Sequence, residues 1–312
     1  MKQRRAPAAT RHNRARRAFH SCESRAPYIL ARRFVAGETL DGALPAVREL
    51  NRKGLRVALD LLGEHEDDPD RAEAATEAYV QLVRRLARER EAGTLQHVNI
   101  SIKLSMMGQQ IDEDLCLEHL LRLLAVAEDE DVYVRLDMEG SDTTASTLRL
   151  FERAWEQYPG RVGPVLQAML KRTAHDVERV CEMGASVRLC KGAYKEPRAI
   201  AYQNMDQIRE RFTAYMKRLL GGGATYPGIA THDDLLIART KLFAAENDIP
   251  PSAFEFQMLY GMRPQTQQAL ADDGYNTLVY VPYGTEWLPY FTRRLTERKE
   301  NVWFVLKNFF RR

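Results

Sequence analysis

The sequence predicts a single (β/α)₈ barrel, and three observations carry that expectation. Eight short apolar runs alternate with eight longer amphipathic stretches. The runs are nearly continuous in Val, Ile and Leu instead of alternating with polar residues, which is the pattern of parallel strands covered on both faces. The chain has 312 residues, a normal length for such a barrel.

The strand-like runs fall at 57–64, 97–105, 131–140, 162–170, 186–194, 228–234, 254–261 and 276–284. Between and after them, helical spacing of apolar residues predicts helices at 70–91, 115–128, 143–158, 174–183, 207–220, 234–247 and 264–273, and a turn through Gly284 and Thr285 leads into a last helix running to about 299. In the last of these, Pro289 must lie in the first turn, where its missing N–H is harmless. Tyr290, Arg293, Arg294 and Glu297 then share one side of that helix. Adjacent guanidiniums beside a phenol and a carboxylate suit a small anionic substrate, since arginine forks grip carboxylates bidentately. A solvated helix carrying an ion pair is the plainer reading.

Residues 1–43 form a separate arm, ahead of a catalytic domain at 44–312. Up to residue 33 the arm holds nine arginines against one acid, Glu23. It lacks the apolar core of a secretory signal. A disordered tail, an amphipathic helix on an anionic membrane and an organellar transit peptide all fit it. The formal net charge of +3 is too small to imply a polyanionic partner, so no nucleic acid is expected. No apolar run is long enough to span a bilayer. Cys22, Cys116, Cys181 and Cys190 show no paired spacing, which indicates reduced thiols in a cytosolic compartment.

In a (β/α)₈ barrel the functional groups sit at the carboxyl ends of the strands. Those ends carry Asp60, Glu64, Lys103, Asp137, Glu139, Gln167, Arg188, Lys191, Tyr194, Thr231, His232, Glu255, Gln257 and Tyr280. Charges inside a barrel must pair with one another or with a ligand. The cationic surplus of Lys103, Arg188, Lys191, Arg293 and Arg294 points to anionic ligands in preference to self-pairing. His232 has no metal-ligand companion at usable spacing, and no G-x-S-x-G nucleophile motif occurs. The Gly221-Gly222-Gly223 run lacks the residues of a phosphate-binding loop and reads as a turn. A Schiff-base lysine at Lys103 or Lys191 stays open.

Eight segments then carry a resemblance: SIKLS (101–105), RLDMEG (135–140), VLQAML (165–170), VRLCKGAYKEP (187–197), IATHD (229–233), FEFQMLYGM (254–262), VYVPYG (279–284) and YFTRRLTE (290–297). In this order they closely resemble proline dehydrogenase, an FAD-dependent barrel found alone or within bifunctional proline-utilisation proteins. The length suggests the single-function bacterial type. The resemblance implies oxidation of L-proline to Δ1-pyrroline-5-carboxylate, the first step of proline catabolism, with hydride transfer to FAD and electrons passed to a quinone. Arg293 and Arg294 match the pair holding the substrate carboxylate, with Lys103 as third cation. Tyr280, Tyr290, Leu259 and Glu297 match the remaining walls of the proline pocket, and Asp137 matches an acid in its charge network. Gln167, Arg188, Lys191, Gly192, Ala193, Thr231 and His232 match positions that contact FAD, while Tyr194 matches an aromatic flanking flavin and substrate. No role is carried over for Glu255 or Gln257. The tyrosine at 280 resembles enzymes for proline, where those for hydroxyproline carry a smaller residue. Met205, where a lysine is common, Cys190 and the stretch 204–211 depart from the pattern. A cytoplasmic location is implied, with the arm as a peripheral contact at the inner membrane. The competing readings are hydroxyproline dehydrogenase, a methylenetetrahydrofolate reductase-like flavin barrel and a Schiff-base aldolase.

Overall fold

The structure, a computed structural model, describes residues 31–63 and 65–297, with side chains through Thr292. Residues 1–30, Glu64 and residues 298–312 lie outside the described residues, as do the side chains of Arg293, Arg294 and Glu297.

Eight strands form the expected closed parallel barrel: β1 (Arg56–Leu61), β2 (Val98–Ile102), β3 (Val134–Leu136), β4 (Val162–Gln167), β5 (Arg188–Cys190), β6 (Gly228–Ala230), β7 (Glu255–Leu259) and β8 (Asn276–Tyr283). Each pairs with its successor, and β8 closes the ring on β1 with Val57 opposite Val279. Helix α1 (Leu40–Arg52) precedes β1 and packs against β1 and β8. The crossovers then supply α2 (Pro69–Glu91), α3 (Glu113–Asp129), α4 (Ser141–Gln157), α5 (Thr173–Glu182), α6 (Met205–Leu220), α7 (Asp234–Glu246), α8 (Pro264–Asp272) and α9 (Trp287–Glu297). Helices α2 to α8 sit within two residues of their predicted bounds, and Pro289 falls in the first turn of α9 as expected; the expected end of α9 at 299 lies outside the described residues. Helix α1 was given no bounds in advance, the arm being expected only as partly disordered or helical. Its apolar face of Ala43, Leu44, Val47 and Leu50 is buried at helical spacing, and the Thr39 hydroxyl caps it by accepting from Gly42 N. The helix crosses the 43/44 position at which the arm was expected to end.

Several starts are fixed by side chains that satisfy otherwise unpaired amides of the first turn. Asp68 accepts from the N–H groups of Asp70 and Arg71, with Pro69 at the first helical position of α2. Asp112 does the same for Asp114 and Leu115 in α3, and Asn204 for Asp206 and Gln207 in α6.

Alternation along the strands sorts the side chains into two sets. Val57, Leu59, Ile100, Ile102, Val134 and Leu136 are fully buried and join Tyr79, Leu82, Val83 and Leu120 in the layer between sheet and helices. The alternate set includes Asp60, Ser101, Arg135, Arg188, Glu255 and Gln257, all buried. Arg188 reaches Ser101 and Asp137 across the barrel, so this second set fills its interior. The strands are shorter than the predicted runs, because residues such as 138–140 and 191–194 leave the sheet to form the mouth.

The caps give a direct check. Asp112→Ala leaves the Asp114 and Leu115 amides without their acceptor and should lower stability by about 1 kcal/mol. The measurement is the unfolding midpoint against denaturant, with no change in transition slope expected.

Candidate active site

A cavity of about 800 Å³ opens at the carboxyl ends of the strands. Of the expected site residues, Lys103, Asp137, Arg188, Lys191, Gly192, Ala193, Tyr194, Thr231, His232, Leu259, Tyr280 and Tyr290 all line it. Gln167 stands behind this wall, its Nε2 donating to the carbonyl of Glu139 at 2.8 Å. Arg293, Arg294 and Glu297 lie on α9, whose described part brings Tyr290 to the cavity.

The centre is a hub on Asp137. One carboxyl oxygen accepts from Arg188 Nη1 at 2.7 Å, and the other accepts from the Tyr280 hydroxyl at 2.6 Å. Arg188 also donates Nη2 to Ser101 Oγ at 3.0 Å and Nε to Gln257 Oε1. Its guanidinium carbon lies 5.2 Å from the centre of the Tyr280 ring, within cation–π range. Burial first, and Asp137 second, push the Tyr280 phenol well above its ordinary value, so the hydroxyl stays a donor. At the next strand pair, Lys103 Nζ meets Asp60 Oδ1 at 2.5 Å, both groups being buried. Burial works against the Lys103 ammonium, but Asp60 and Asp137 more than offset it and hold its pKa above the usual lysine value. Burial in turn raises the Asp60 carboxyl against the pull of Lys103.

At the rim, Asp233 Oδ2 accepts from Lys191 Nζ at 3.1 Å and from Arg209 Nε at 2.8 Å. Burial raises this carboxyl, but Arg209 and Lys191 outweigh it and leave the pKa below its ordinary value. Thr231 Oγ1 accepts from the Asp233 amide at 3.1 Å. The Leu259 amide donates to His232 Nε2 at 3.0 Å, which makes that nitrogen an acceptor. Gly192 turns the chain at φ +107°, and a Cβ there would lie 2.5 Å from Met169 Sδ. Only glycine fits both requirements.

The expectation that the cations await ligands in preference to self-pairing is corrected for Lys103, Arg188 and Lys191, while Arg293 and Arg294 have side chains outside the described residues. Lys103, Arg188 and Lys191 each pair with a carboxylate of the barrel, because a buried charge left for a ligand alone would carry its full desolvation cost. The buried ion pair with Asp60 also works against a Schiff-base role for Lys103, because the nucleophile must be a neutral amine and this contact favours the ammonium.

Sequence reasoning missed several participants. Asp60 was visible as an acid on an apolar strand, but its partner was not. Asp233 appeared only within the IATHD segment; it also caps α7, accepting from the Leu235 amide at 3.2 Å. Arg209 lay in the atypical 204–211 stretch, and Ser101 looked like an ordinary small residue. The described end of the arm was missed entirely. Ala31, Phe34 and Val35 are buried with Leu62, Met262, Trp287, Tyr290 and Phe291, beside the cavity. Ala36 N donates to the Pro282 carbonyl and Gly284 N to the Gly37 carbonyl, each at 2.9 Å.

A closed parallel barrel with a polar cavity at the strand ends defines a (β/α)₈-barrel enzyme. The family profile described as Proline dehydrogenase matches residues 43–307. Proline dehydrogenase 1 of Bacillus subtilis strain 168 is 40% identical over 283 residues, covering 90% of this chain and 91% of that one. Proline dehydrogenase of Deinococcus radiodurans is 38% identical over 282 residues, covering 89% of each. Among solved structures, proline utilization A from Bdellovibrio bacteriovorus, inactivated by N-propargylglycine, superposes with a TM-score of 0.80 at 26% identity. That match covers 87% of this chain and 33% of the larger protein, so the chain spans about a third of its length. The chain belongs to the proline dehydrogenase family.

Glu139, on the cavity wall, generates a pH prediction. Burial raises its carboxyl above the ordinary 4.5, against the hydrogen bond from Ser105 Oγ. A raised folded-state pKa gives a stabilising contribution that is complete below 4.5 and fades as pH rises through the folded value. Glu139→Gln should therefore gain stability relative to the parent at pH 8, and that advantage should vanish by pH 4. Thermal melts at the two pH values read the difference.

Proposed function

We propose that the protein oxidises L-proline to Δ1-pyrroline-5-carboxylate with FAD as its redox cofactor, the first step of proline catabolism. The observation that carries this reading is the Asp137 hub, which sets Arg188 and Tyr280 at the floor of a cavity in a family member. The chain's residues suit FAD in one specific respect. The Gly192 turn, packed so closely on Met169 that no side chain fits, sets residues 191–193 on the cavity wall beside the Lys191 ammonium. Gln167, Arg188, Lys191, Gly192, Ala193, Thr231 and His232 hold the cofactor in this reading, and Tyr194 flanks it. When bound, FAD supplies the acceptor for the hydride leaving the ring carbon beside the proline nitrogen.

The protein's share is binding, orientation and electrostatics. Arg293 and Arg294 hold the substrate carboxylate. Lys103 joins them as a third cation whose charge is already balanced by Asp60. Leu259, Tyr280 and Tyr290 wall the ring, and Glu297 closes the pocket from α9. Arg188 and Lys191 supply positive charge where negative charge develops during reduction. The size of the Tyr280 side chain favours proline over hydroxyproline. The catalytic unit takes in residues 44–312 and, with them, the start of helix α1 from Leu40; the arm before it lies outside except where its end packs beside α9.

The test is a visible spectrum of the purified protein under anaerobic conditions. The reading expects a yellow protein whose absorbance is bleached by L-proline; well-folded protein that takes up no flavin sinks it. Arg294→Ala should weaken the proline complex by about 2–5 kcal/mol, because a desolvated carboxylate loses its partner. That corresponds to roughly 30- to several-thousand-fold in affinity, and unchanged proline kinetics would remove Arg294 from the carboxylate site.

A membrane quinone is the proposed electron acceptor. Among the described residues no helix is long and apolar enough to cross a membrane. The basic arm then supplies a peripheral contact with anionic lipid. Deleting residues 1–30 should abolish sedimentation with anionic vesicles while leaving proline-dependent bleaching intact. Undiminished sedimentation would dismiss the arm as the contact.

A further inference from the structure

Glu255 and Gln257 are alternate residues on the inner face of β7, both buried and without a role so far. The Gln257 amide has one orientation that satisfies its neighbours. Its Nε2 donates to Glu255 Oε1 at 2.6 Å, and its Oε1 accepts from Arg188 Nε. Reversal would set an NH₂ group against a guanidinium, which has only donors. Glu255 is itself held: the Tyr226 hydroxyl donates to Oε2 at 3.1 Å, and Arg56 Nη1 lies 4.0 Å away. Burial, with Glu255 adding to it, pushes the Tyr226 phenol up and keeps its proton available for donation.

Two independent features show that the fold gives something up for this amide. Tyr226 adopts a left-handed backbone at φ +49°, unfavourable for a bulky side chain. On the neighbouring strand, a Cβ at Gly228 would overlap the Gln257 amide, so a glycine inside β6 clears its space.

We propose that Gln257, braced by Glu255 and Tyr226, is a positioning residue for the reaction. It fixes the plane of the Arg188 guanidinium so that Nη1 meets Asp137, Nη2 meets Ser101 and the group lies against the Tyr280 ring. This rests on the assignment of Arg188, Asp137 and Tyr280 to the reaction given above. A residue that merely filled the barrel would, on removal, lower stability and leave rate and guanidinium environment unchanged.

The experiment uses the full chain loaded with FAD and compares Gln257→Leu and Gln257→Glu with the parent. It reads the limiting rate of anaerobic flavin reduction, the proline affinity and the NMR resonance of the Arg188 Nε–H. In Q257L the resonance should move and the limiting rate fall by roughly 10- to 100-fold, with proline affinity changed by less than about threefold. Q257E places a second carboxyl beside Glu255. It should be as slow as Q257L at high pH and recover as pH falls, when a proton shared by the two carboxyls restores the missing donor. The parent should show no such recovery. An unmoved Arg188 resonance, an unchanged limiting rate or a loss confined to affinity overturns the proposal. Where Q257L does not fold, the pH profile of Q257E decides, and a profile parallel to the parent's overturns it. Failure of proline to bleach the parent would instead sink the proposed function, with the resonance still judging whether Gln257 braces Arg188.

Discussion

The interior of this barrel is governed by one constraint: a charge removed from water must find its opposite within hydrogen-bond reach. Asp137 meets it by gripping Arg188 with one oxygen and Tyr280 with the other, at 2.7 and 2.6 Å. That grip ties β3, β5 and β8 together across the interior. Lys103 and Asp60 repeat it between β2 and β1, at a site where both groups are buried. The cavity therefore does not wait for a ligand to neutralise it. Among the described residues, Lys103, Arg188 and Lys191 are paired and oriented beforehand, which limits reorganisation when a substrate arrives.

The same economy extends to the rim. Asp233 starts helix α7 and at the same time holds Lys191 and Arg209 on one oxygen. A single acid thus fixes a helix end, a cavity cation and the neighbouring helix α6. Removing it would disturb all three, so its effects on stability and on the cavity are inseparable.

The barrel was legible in the sequence because strand and helix periods alternate eight times and each strand is continuously apolar. Apolar spacing placed the starts of α3 and α6 two residues late, because what sets them is local and polar: Asp68, Asp112 and Asn204 satisfy amides only two or three residues away. Most of the strand-end residues at the mouth followed from strand order, though Arg209 on α6 did not and Glu255 proved to open β7 instead of ending it. How they pair did not follow from it. Asp60 and Lys103 are 43 residues apart, and Arg188 and Ser101 are 87 apart, distances over which no local pattern operates. The docking of Phe34 against Phe291, with ring centres 6.2 Å apart, was hidden for the same reason, and the surrounding arginines disguised it as a free tail. Helix α1 was obscured differently: Gly42 and Pro45 weigh against a helix locally, and burial of its apolar face overrides them.

The seam between β1 and β8 has a consequence for how the chain is made. Arg56 on one strand and Asn276 on the other are hydrogen-bonded although 220 residues separate them. Until the ribosome has delivered that distant stretch, the first strand keeps one flank bare, a row of amides and carbonyls open to any passing chain. Synthesis order thus leaves the first strand's flank exposed to misassociation until the 220 residues that separate it from its partner have been made.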